Sequence, residues 1–441
     1  MLSSINRLWI VGLVVGLVAG CGGGGGSTGG GSTSGNGGTG TGGGNSSTTV
    51  TVTFEGPAPT AVATRIGTGA FSVQTLSNGV LSLSIPSGTS NYTLAFRCPT
   101  DVLAGGISSA GEFVLEASTA DSTSFRRTCP YTQPPGQTGT LTGSVDASAV
   151  SGVSYVDIDA QISGSSATEY MNTSAGTFSL TAPAGNNRVM VLAYSSAAQG
   201  GLTAPAALAA KNFSSQTVPG ALNSGNAVVL GPADETTPEP ITYNNVPSGF
   251  TSPDTYTALY LAGGLGEIFL ASGSTEYPAL PAGALESGDM YLFEAQLNTS
   301  QGYGPEVLAG ATNSGGPVSF TFPTPWTYAG PTPAALPSVD FNYAGFAGKG
   351  WDSQEIVLNW NSGSAGQALS VVATKNYQGS ATTLSVPDLS ALAGFWANPA
   401  SGTQISWAAS EWQSSYGLAD ITIPLNATWS AVIDTGVYSV P

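Results

Sequence analysis

The chain has no histidine among its 441 residues, and only 8% of its residues are charged. The lack of histidine excludes Ser-His-Asp and Cys-His nucleophilic catalysis and any His-ligated metal centre. Basic residues are scarcer than acidic ones: the chain has 9 Lys plus Arg and 26 Asp plus Glu, which gives a formal net charge of −17. Such a surface repels nucleic acid and anionic headgroups, so we expect no nucleic-acid partner, and no motif calls for a cofactor.

Cysteine is also scarce, with three in the chain. Cys21 follows an apolar N-terminal run, which leaves Cys98 and Cys129 as a pair. In an oxidising compartment we predict a disulfide between them that stabilises the fold by about 3 to 4 kcal/mol. Two free thiols or a metal pair are the alternative, but zinc would lack further ligands, so we predict no metal site.

The first 20 residues have the organisation of an export signal. Arg7 precedes an apolar run that is too short to remain in a bilayer as a spanning helix. The residues that follow, Val18-Ala19-Gly20-Cys21, resemble the lipobox of bacterial lipoproteins. That resemblance implies a signal peptide at 1–20 and lipidation of Cys21 as the first mature residue. A plain secretory signal with an incidental cysteine is the alternative.

The segment 21–48 consists of the cysteine and a tract of Gly, Ser, Thr and Asn. It has no apolar surface to offset the entropy of ordering, so we predict a flexible tether with a reach of about 30 Å. Gly22 stands where lipoproteins retained in the inner membrane carry Asp. The lipoprotein resemblance therefore implies an outer-membrane location in a diderm bacterium.

A strand–proline turn–strand pattern repeats along the chain. Pro86, Pro183 and Pro281 recur about every 97 residues, close to the length of an immunoglobulin-like sandwich. Proline ends a strand ladder, and a nearby glycine adopts the positive φ that lets the chain reverse. A looser counterpart precedes Pro387.

Proline-rich stretches separate these repeats, including Gly231–Pro240 and Ala329–Ser338. We expect them to be stiff and to stay out of sheet interiors. The predicted modules are 49–130, 138–230, 241–328 and 338–441. In this arrangement the C-terminal module is the end farthest from the tether.

Within the modules, apolar and polar residues alternate with the period of a strand, as in Val156, Ile158 and Ala160. This predicts an all-β fold of tandem antiparallel sandwiches, immunoglobulin-like or prealbumin-like. Only two short helices are predicted, at Pro205–Ala210 and Asp388–Gly394.

The second module resembles the carboxypeptidase regulatory-like domain, a prealbumin-like accessory domain without catalytic residues. The resemblance rests on Gly139–Val145, Ser174–Leu180 and the Pro183-Ala184-Gly185 turn. The last module resembles fibronectin type III at Ile356–Trp360 and Gln404–Trp407.

Apart from Trp9, every one of the 8 tryptophans lies after residue 325. Trp351, Trp396 and Trp412 fall in loop-like contexts and are candidates for a carbohydrate platform. The alternative is that they pack in sandwich cores, as we expect for Trp360 and Trp407.

Carboxylates are the remaining candidates for chemistry. A glycosidase needs two carboxylates, which the third module can supply from Glu267, Glu276, Glu286, Asp289 and Glu294. Solvent-facing carboxylates are the default interpretation. Asp157 and Asp159 lack a calcium-loop signature and are predicted to lie on a solvated strand face.

Together these features favour a non-catalytic, lipid-anchored envelope protein in a structural or adhesive role, binding a protein or polysaccharide. The alternatives are a carbohydrate-binding surface protein, an accessory subunit of an outer-membrane assembly, and a carboxylate-based glycosidase.

Overall fold

A computed structural model describes residues 47–441, apart from gaps at 56–57, 100, 103–107, 130–136, 163–164, 197–205, 263–264, 274, 300–302, 347–349, 363–364 and 417–423. The signal peptide, Cys21 and nearly all of the tether lie outside the described residues.

The fold is all-β, as predicted: about 57% of residues are in strands and 4% in helices. The one α-helix of the described residues is α1 (Lys375–Gln378). Both predicted helices are wrong. The first falls largely in a strand, Ala207–Val218, because pairing along its whole length with residues 185–194 outweighs local propensity. The second is a series of turns, one closed by Leu392 N–H donating to the Leu389 carbonyl.

Unit 1 (48–128) is a sandwich of two sheets. Its strands are β1 (Thr48–Glu55), β2 (Ala61–Ile66), β3 (Ser72–Val73), β4 (Val80–Ile85), β5 (Asn91–Arg97), β6 (Asp101–Val102), β7 (Ser108–Ser118) and β8 (Ser124–Thr128). One sheet has the order β4-β1-β8, and the other contains β3-β2-β5-β7 with β6 beside β7.

Unit 2 (138–229) repeats this arrangement. Its strands are β9 (Thr138–Asp146), β10 (Tyr155–Ile162), β11 (Ser165–Met171), β12 (Ala175–Pro183), β13 (Gly185–Tyr194), β14 (Ala207–Val218), β15 (Gly220–Ala221) and β16 (Val228–Val229). The sheets are β12-β9-β15, with β16 also on β9, and β11-β10-β13-β14.

Unit 3 (237–321) repeats it again. Its strands are β17 (Thr237–Asn244), β18 (Asp254–Leu261), β19 (Gly266–Ser272), β20 (Glu276–Ala279), β21 (Met290–Asn298), β22 (Glu306–Asn313) and β23 (Val318–Thr321). The sheets are β20-β17-β23 and β19-β18-β21-β22.

Unit 4 (338–439) has fewer strands than the other units. Its strands are β24 (Ser338–Asp340), β25 (Ser353–Ser362), β26 (Ala365–Thr374), β27 (Thr383–Ser385), β28 (Gln404–Ser414) and β29 (Thr428–Ser439). β24 pairs with β27, while β26-β25-β28-β29 form the larger sheet.

The proline turns have the same place in every repeat. The strands before them, β4, β12 and β20, lie in the small sheets, and the strands after them, β5, β13 and β21, lie in the large sheets. The chain crosses the sandwich at each turn, which confirms the predicted strand–turn–strand repeat. In units 1 to 3 the first strand also pairs in parallel with the last, as β1 does with β8.

The large sheets of units 1, 3 and 4 form one 13-stranded sheet. β22 pairs antiparallel with β29 over Glu306–Ala311, and β26 pairs parallel with β7 over Gly366–Ala373. Unit 4 therefore lies between units 3 and 1, so the expectation that it is the far end of a string is wrong. The module boundaries themselves stay predictions.

Two segments predicted as proline-rich linkers contribute to the folded units, although the first stays out of the sheet interior, as predicted. Pro238 and Pro240 lie in β17, where residues 237–240 pair with β20 alone and 241–244 pair with β23 alone. The prolines thus need no amide hydrogen bond on their second side.

The second segment, Ala329–Ser338, and the residues just before it lie against unit 4, where the Ala334 carbonyl accepts a hydrogen bond from the Tyr438 hydroxyl at 2.9 Å. Trp326 stacks on Phe341 with ring centroids 5.3 Å apart, and the Tyr328 amide donates to Asp434 at 2.7 Å. This segment packs against the core and is not a free spacer.

The predicted disulfide is present. Cys98 follows β5 and Cys129 follows β8, with their Cα atoms 5.3 Å apart. Because β5 and β8 belong to different sheets, the bond ties the two layers of unit 1 together.

Unit 2 docks on unit 3 through a buried ion pair. Arg188 donates to both carboxylate oxygens of Asp289, at 2.7 and 2.6 Å, and its side chain is 2% exposed while that of Asp289 is 1% exposed. Tyr194 donates to the Phe269 carbonyl at 3.0 Å beside it. The joint is specified by polar geometry as well as by apolar packing.

Candidate functional site

The three candidate tryptophans do not form one platform. Ser353 and Trp360 are an odd number of positions apart on β25, so their side chains point to opposite faces of the sheet. Trp412 pairs with Ser353, whereas Trp396 packs against Trp360. Trp351 lies before β25 with the Lys375 ammonium 5.8 Å from its ring. Trp360 and Trp407 are buried, as expected.

Trp396 belongs to the segment in which unit 4 departs most from the repeat. The link from the small to the large sheet is 86–90 in unit 1, residue 184 alone in unit 2, and 280–289 in unit 3. In unit 4 it runs from 386 to 403. An added loop on a repeated scaffold is a common location for binding residues.

This loop closes a pocket against units 1 and 4, which we call the indole pocket. Its open volume, including the mouth, is about 330 Å³. The Trp360 and Trp396 rings meet edge-to-face at 83°, with centroids 5.9 Å apart. The pocket lining is Glu112, Ala335, Leu336, Leu358, Trp360, Leu369, Pro387, Leu389, Ser390, Trp396, Ala397, Asn398 and Pro399.

Glu112 is the one ionisable group in this lining, and it comes from β7 of unit 1. It is 4% exposed, and its Oε1 accepts a hydrogen bond from the Trp396 amide at 2.6 Å. Burial raises the pKa of Glu112 to about 7, against the lowering effects of that hydrogen bond and of Arg97. Near neutral pH the carboxyl can therefore accept or donate a proton in a hydrogen bond.

Arg97 fastens the loop from outside the pocket. Its guanidinium lies 5.0 Å from the centre of the Trp396 ring, and its Nη1 donates to the Gly394 carbonyl at 2.9 Å. Gly394 has φ +90° and approaches Ala61 so closely that a Cβ would lie 2.8 Å from the Ala61 Cβ. The loop position thus depends on unit 1.

The rim is braced by Asp388. Its Oδ1 accepts from Ser390 Oγ at 2.6 Å and from Asn398 Nδ2 at 3.2 Å. The hydrogen bonds from Ser390 lower the pKa of Asp388, so it is ionised at neutral pH.

The five candidate carboxylates of unit 3 separate into three groups. Glu276 is exposed on β20. Glu286 and Asp289 contact Arg188, Glu286 at 3.3 Å from its Nε. Burial alone would raise the pKa of Asp289, but hydrogen bonds from Arg188 and two amides lower it.

Glu267 and Glu294 do come together. They flank β18, where Tyr256 pairs with Glu294 and donates its hydroxyl to Glu267 Oε1 at 3.2 Å. Burial raises both pKa values, that of Glu294 to about 8 with a further contribution from Glu267. Glu294 is 8% exposed and Glu267 Oε2 is buried without a partner, so this pair is enclosed in the protein.

Asp157 and Asp159 are the clearest correction to the carboxylate predictions. Asp157 is 6% exposed, not solvated. Burial raises its pKa to about 8, helped by Asp159, whose own pKa burial raises to about 6. The face of β10 that the alternation predicts to be solvated also carries Gln161, which pairs with Arg188 on the neighbouring strand β13. Asp157, Gln161 and Arg188 are all buried by neighbouring structure.

Across the described ranges, no three or more Cys, Asp or Glu side chains are grouped to hold a metal ion. Among those same residues, no helix has the length and apolar character needed to cross a membrane.

Sequence reasoning missed Glu112 and Arg97. Both lie on strands of unit 1, far before the loop of unit 4 in the chain. Glu112 is 284 positions before Trp396, and Arg97 is 297 positions before Gly394. The alternation of unit 1 marks them as facing away from its own core, but nothing in it indicates that unit 4 covers them.

No protein-family model matches this chain, and no curated protein matches it. A leucine-rich repeat protein from Bacteroides thetaiotaomicron is 15% identical, covering 42% of this chain and 26% of that one, with a TM-score of 0.14. The pilus adhesin SpaC from Lactobacillus rhamnosus GG, in its open conformation, is 9% identical, covering 75% and 44%, with a TM-score of 0.12. The matches span less than half of either structure's chain, and neither likeness informs on function.

Proposed function

We propose that this protein is a non-catalytic lipoprotein of the cell envelope with a structural or adhesive, ligand-binding role at the cell surface. The observation that carries the proposal is the 13-stranded sheet shared by units 1, 3 and 4. Sandwiches joined strand to strand resist bending at their junctions, whereas sandwiches on linkers pivot. A rigid body of this kind suits a component that holds a binding surface in a fixed orientation.

The membrane attachment rests on the sequence. The lipobox-like residues ending at Cys21 support lipidation, since two or three acyl chains anchor a protein stably. The glycine-rich tether then separates the folded body from the bilayer by about 30 Å. Gly22 supports an outer-membrane location.

The experiment combines fractionation with a surface assay on the full-length protein in its native host. Wild type is expected in the outer-membrane fraction and accessible to added protease, and Cys21→Ser is expected in the soluble exported fraction. Recovery of Cys21→Ser in the membrane fraction contradicts the lipid anchor.

The role at the surface is tested by comparing cells with and without the protein for adhesion to isolated envelope polysaccharide. Detergent pull-down is run in parallel. A stoichiometric complex with an outer-membrane assembly and no adhesion defect would replace the adhesive role with that of an accessory subunit.

A further inference from the structure

We propose that the indole pocket binds a carbohydrate, with one hydroxyl or hydroxymethyl group of the sugar entering beside the contacting Trp360 and Trp396 rings to reach Glu112. This inference rests on the proposed function and names the ligand class of its binding surface.

The pocket is an addition to the repeated scaffold. The other three units connect the same two strands with at most the ten residues 280–289. The loop of unit 4 carries its own bracing, since the Asp388 carboxylate holds Ser390 and Asn398 at the rim. Braced loops that are longer than a connection requires are typically functional.

The walls match the two kinds of surface on a sugar. Two indoles meeting at 83° form an apolar corner, and the C–H groups of a sugar ring or hydroxymethyl carbon pack well against such aromatic surface. Leu336, Leu358 and Leu389 extend the apolar wall. Polar groups are few and converge, as in small-molecule sites generally.

The carboxyl at the pocket wall supplies the polar recognition. Glu112 is 4% exposed, and its hydrogen bond within the described residues involves Oε1, which is held by the Trp396 amide. A carboxyl group can take part in more than one hydrogen bond, so a sugar hydroxyl can donate to it or, when it is protonated, accept from it. A purely apolar ligand group would make no such hydrogen bond.

Size determines how the ligand enters. The pocket is narrow, since its volume of about 330 Å³ includes the open mouth, and its inner part takes only a small group such as a hydroxyl or hydroxymethyl. The rest of the sugar must lie at the open mouth, over Trp396 and the Asp388-braced rim. This geometry selects an exposed or terminal sugar residue over a buried position within a packed polysaccharide.

The test uses the full-length lipoprotein in detergent on an array of neutral hexose and N-acetylhexosamine glycans, followed by calorimetry with the methyl glycoside of each sugar bound. Trp396→Ala is expected to weaken binding by about ten-fold or more, which corresponds to losing one good contact surface. Glu112→Gln keeps the size and an acceptor and is expected to lose affinity by about two- to five-fold.

Trp412→Ala is the matched control, because Trp412 is a half-buried tryptophan of the same unit on the opposite face of the sheet. It is expected to bind within about two-fold of wild type. Trp396→Phe, which keeps an aromatic wall and the loop, guards against a folding defect and is expected to bind with intermediate affinity at an unchanged melting temperature.

Three results overturn the inference: no glycan bound by wild type, equal losses in Trp396→Ala and Trp412→Ala, or occupation of the pocket by a peptide or protein side chain. None of these touches the fractionation result. A protein that binds glycans but is absent from the cell surface would contradict the proposed function while leaving the pocket intact.

Discussion

Glu112 accepts a 2.6 Å hydrogen bond from the backbone amide of Trp396, although the two residues are 284 positions apart. The contact joins a strand of unit 1 to the loop of unit 4. The carboxyl is buried, and neither group has water as an alternative hydrogen-bond partner, so this contact fixes the position of each. The pocket is therefore a property of two units, and folding of unit 1 is a condition for its shape.

The disulfide tests that dependence. Replacing Cys98 and Cys129 together with Ala is expected to lower the stability of unit 1 by about 3 to 4 kcal/mol. Because unit 1 positions Glu112 and Arg97, glycan binding is expected to be lost at a lower urea concentration than in wild type. Urea titration followed by near-UV circular dichroism and by glycan binding measures both. If the disulfide-bonded protein and the Ala-substituted protein lost glycan binding at the same urea concentration, the dependence of the pocket on unit 1 would be contradicted.

The Arg188–Asp289 pair is expected to be the most sensitive contact of the joint between units 2 and 3. Asp289→Ala leaves a guanidinium buried without its partner and is expected to cost about 3 to 5 kcal/mol. The control is Asp234→Ala, which removes a 3.5 Å ion pair with Lys211, whose side chain is 39% exposed, and a hydrogen bond from the Gly231 amide. It is expected to cost about 1 kcal/mol. Equal losses in urea unfolding would show that the buried pair has no special weight.

Stability is expected to fall as pH rises from about 4.5 to about 8. Glu294 and Asp157 have pKa values raised to about 8, and those of Glu355 and Glu411 are raised to about 7, in each case chiefly by burial. These carboxyls stay protonated in the folded protein after the unfolded chain has ionised. Their contribution to stability is complete below the pKa of the carboxyl in the unfolded chain and is lost as the pH rises through its pKa in the folded protein. This is the reverse of ordinary acid denaturation.

Glu294→Gln isolates one of these groups. It is expected to raise the free energy of unfolding at pH 8 by roughly 2 to 4 kcal/mol and to leave it nearly unchanged at pH 4.5. The exposed Glu235→Gln serves as the control and is expected to alter neither value. If the glycosidase alternative held, Glu294→Gln and Glu267→Gln would instead abolish a hydrolytic activity of the wild-type protein.

Gly310 is required by close packing on the outer face of the shared sheet. A Cβ there would lie 2.0 Å from the Trp429 indole, so Gly310→Ala must displace a tryptophan that is 7% exposed. We expect a loss of about 1 to 3 kcal/mol or more. Gly283→Ala, where a Cβ meets nothing within 4 Å, is expected to be neutral or slightly stabilising. Thermal unfolding of the two variants gives the comparison.

Local chemistry explains what could be read from the sequence. Pro86, Pro183 and Pro281 mark turns because proline has a fixed φ and no amide hydrogen to donate to a second neighbouring strand. The alternation at Val156, Ile158 and Ala160 marks a core face correctly. Those signals operate over a few residues. They predict the sandwich and its repeat.

The errors arise where distant segments meet. Asp157 looks solvated because its strand alternates, yet neighbouring structure buries the polar face. The pairing of Glu306–Ala311 with Thr428–Ile433 joins the edge strands of two units. No local pattern in the sequence indicates which edge strands pair. The indole pocket could be predicted only in part: Trp396 was a candidate because of its residue type, whereas Glu112 and Arg97 were not identified.

The order of units in the shared sheet differs from their order along the chain, and this has a temporal consequence. Unit 1 is synthesised first, but the partner of its β7 edge is β26, which lies more than 250 positions later. Until the last quarter of the polypeptide emerges, a long unpaired strand edge faces other nascent chains, a recognised route to misassembly. The shared sheet is therefore completed late in synthesis, and the interval before its completion is when a chaperone would matter most.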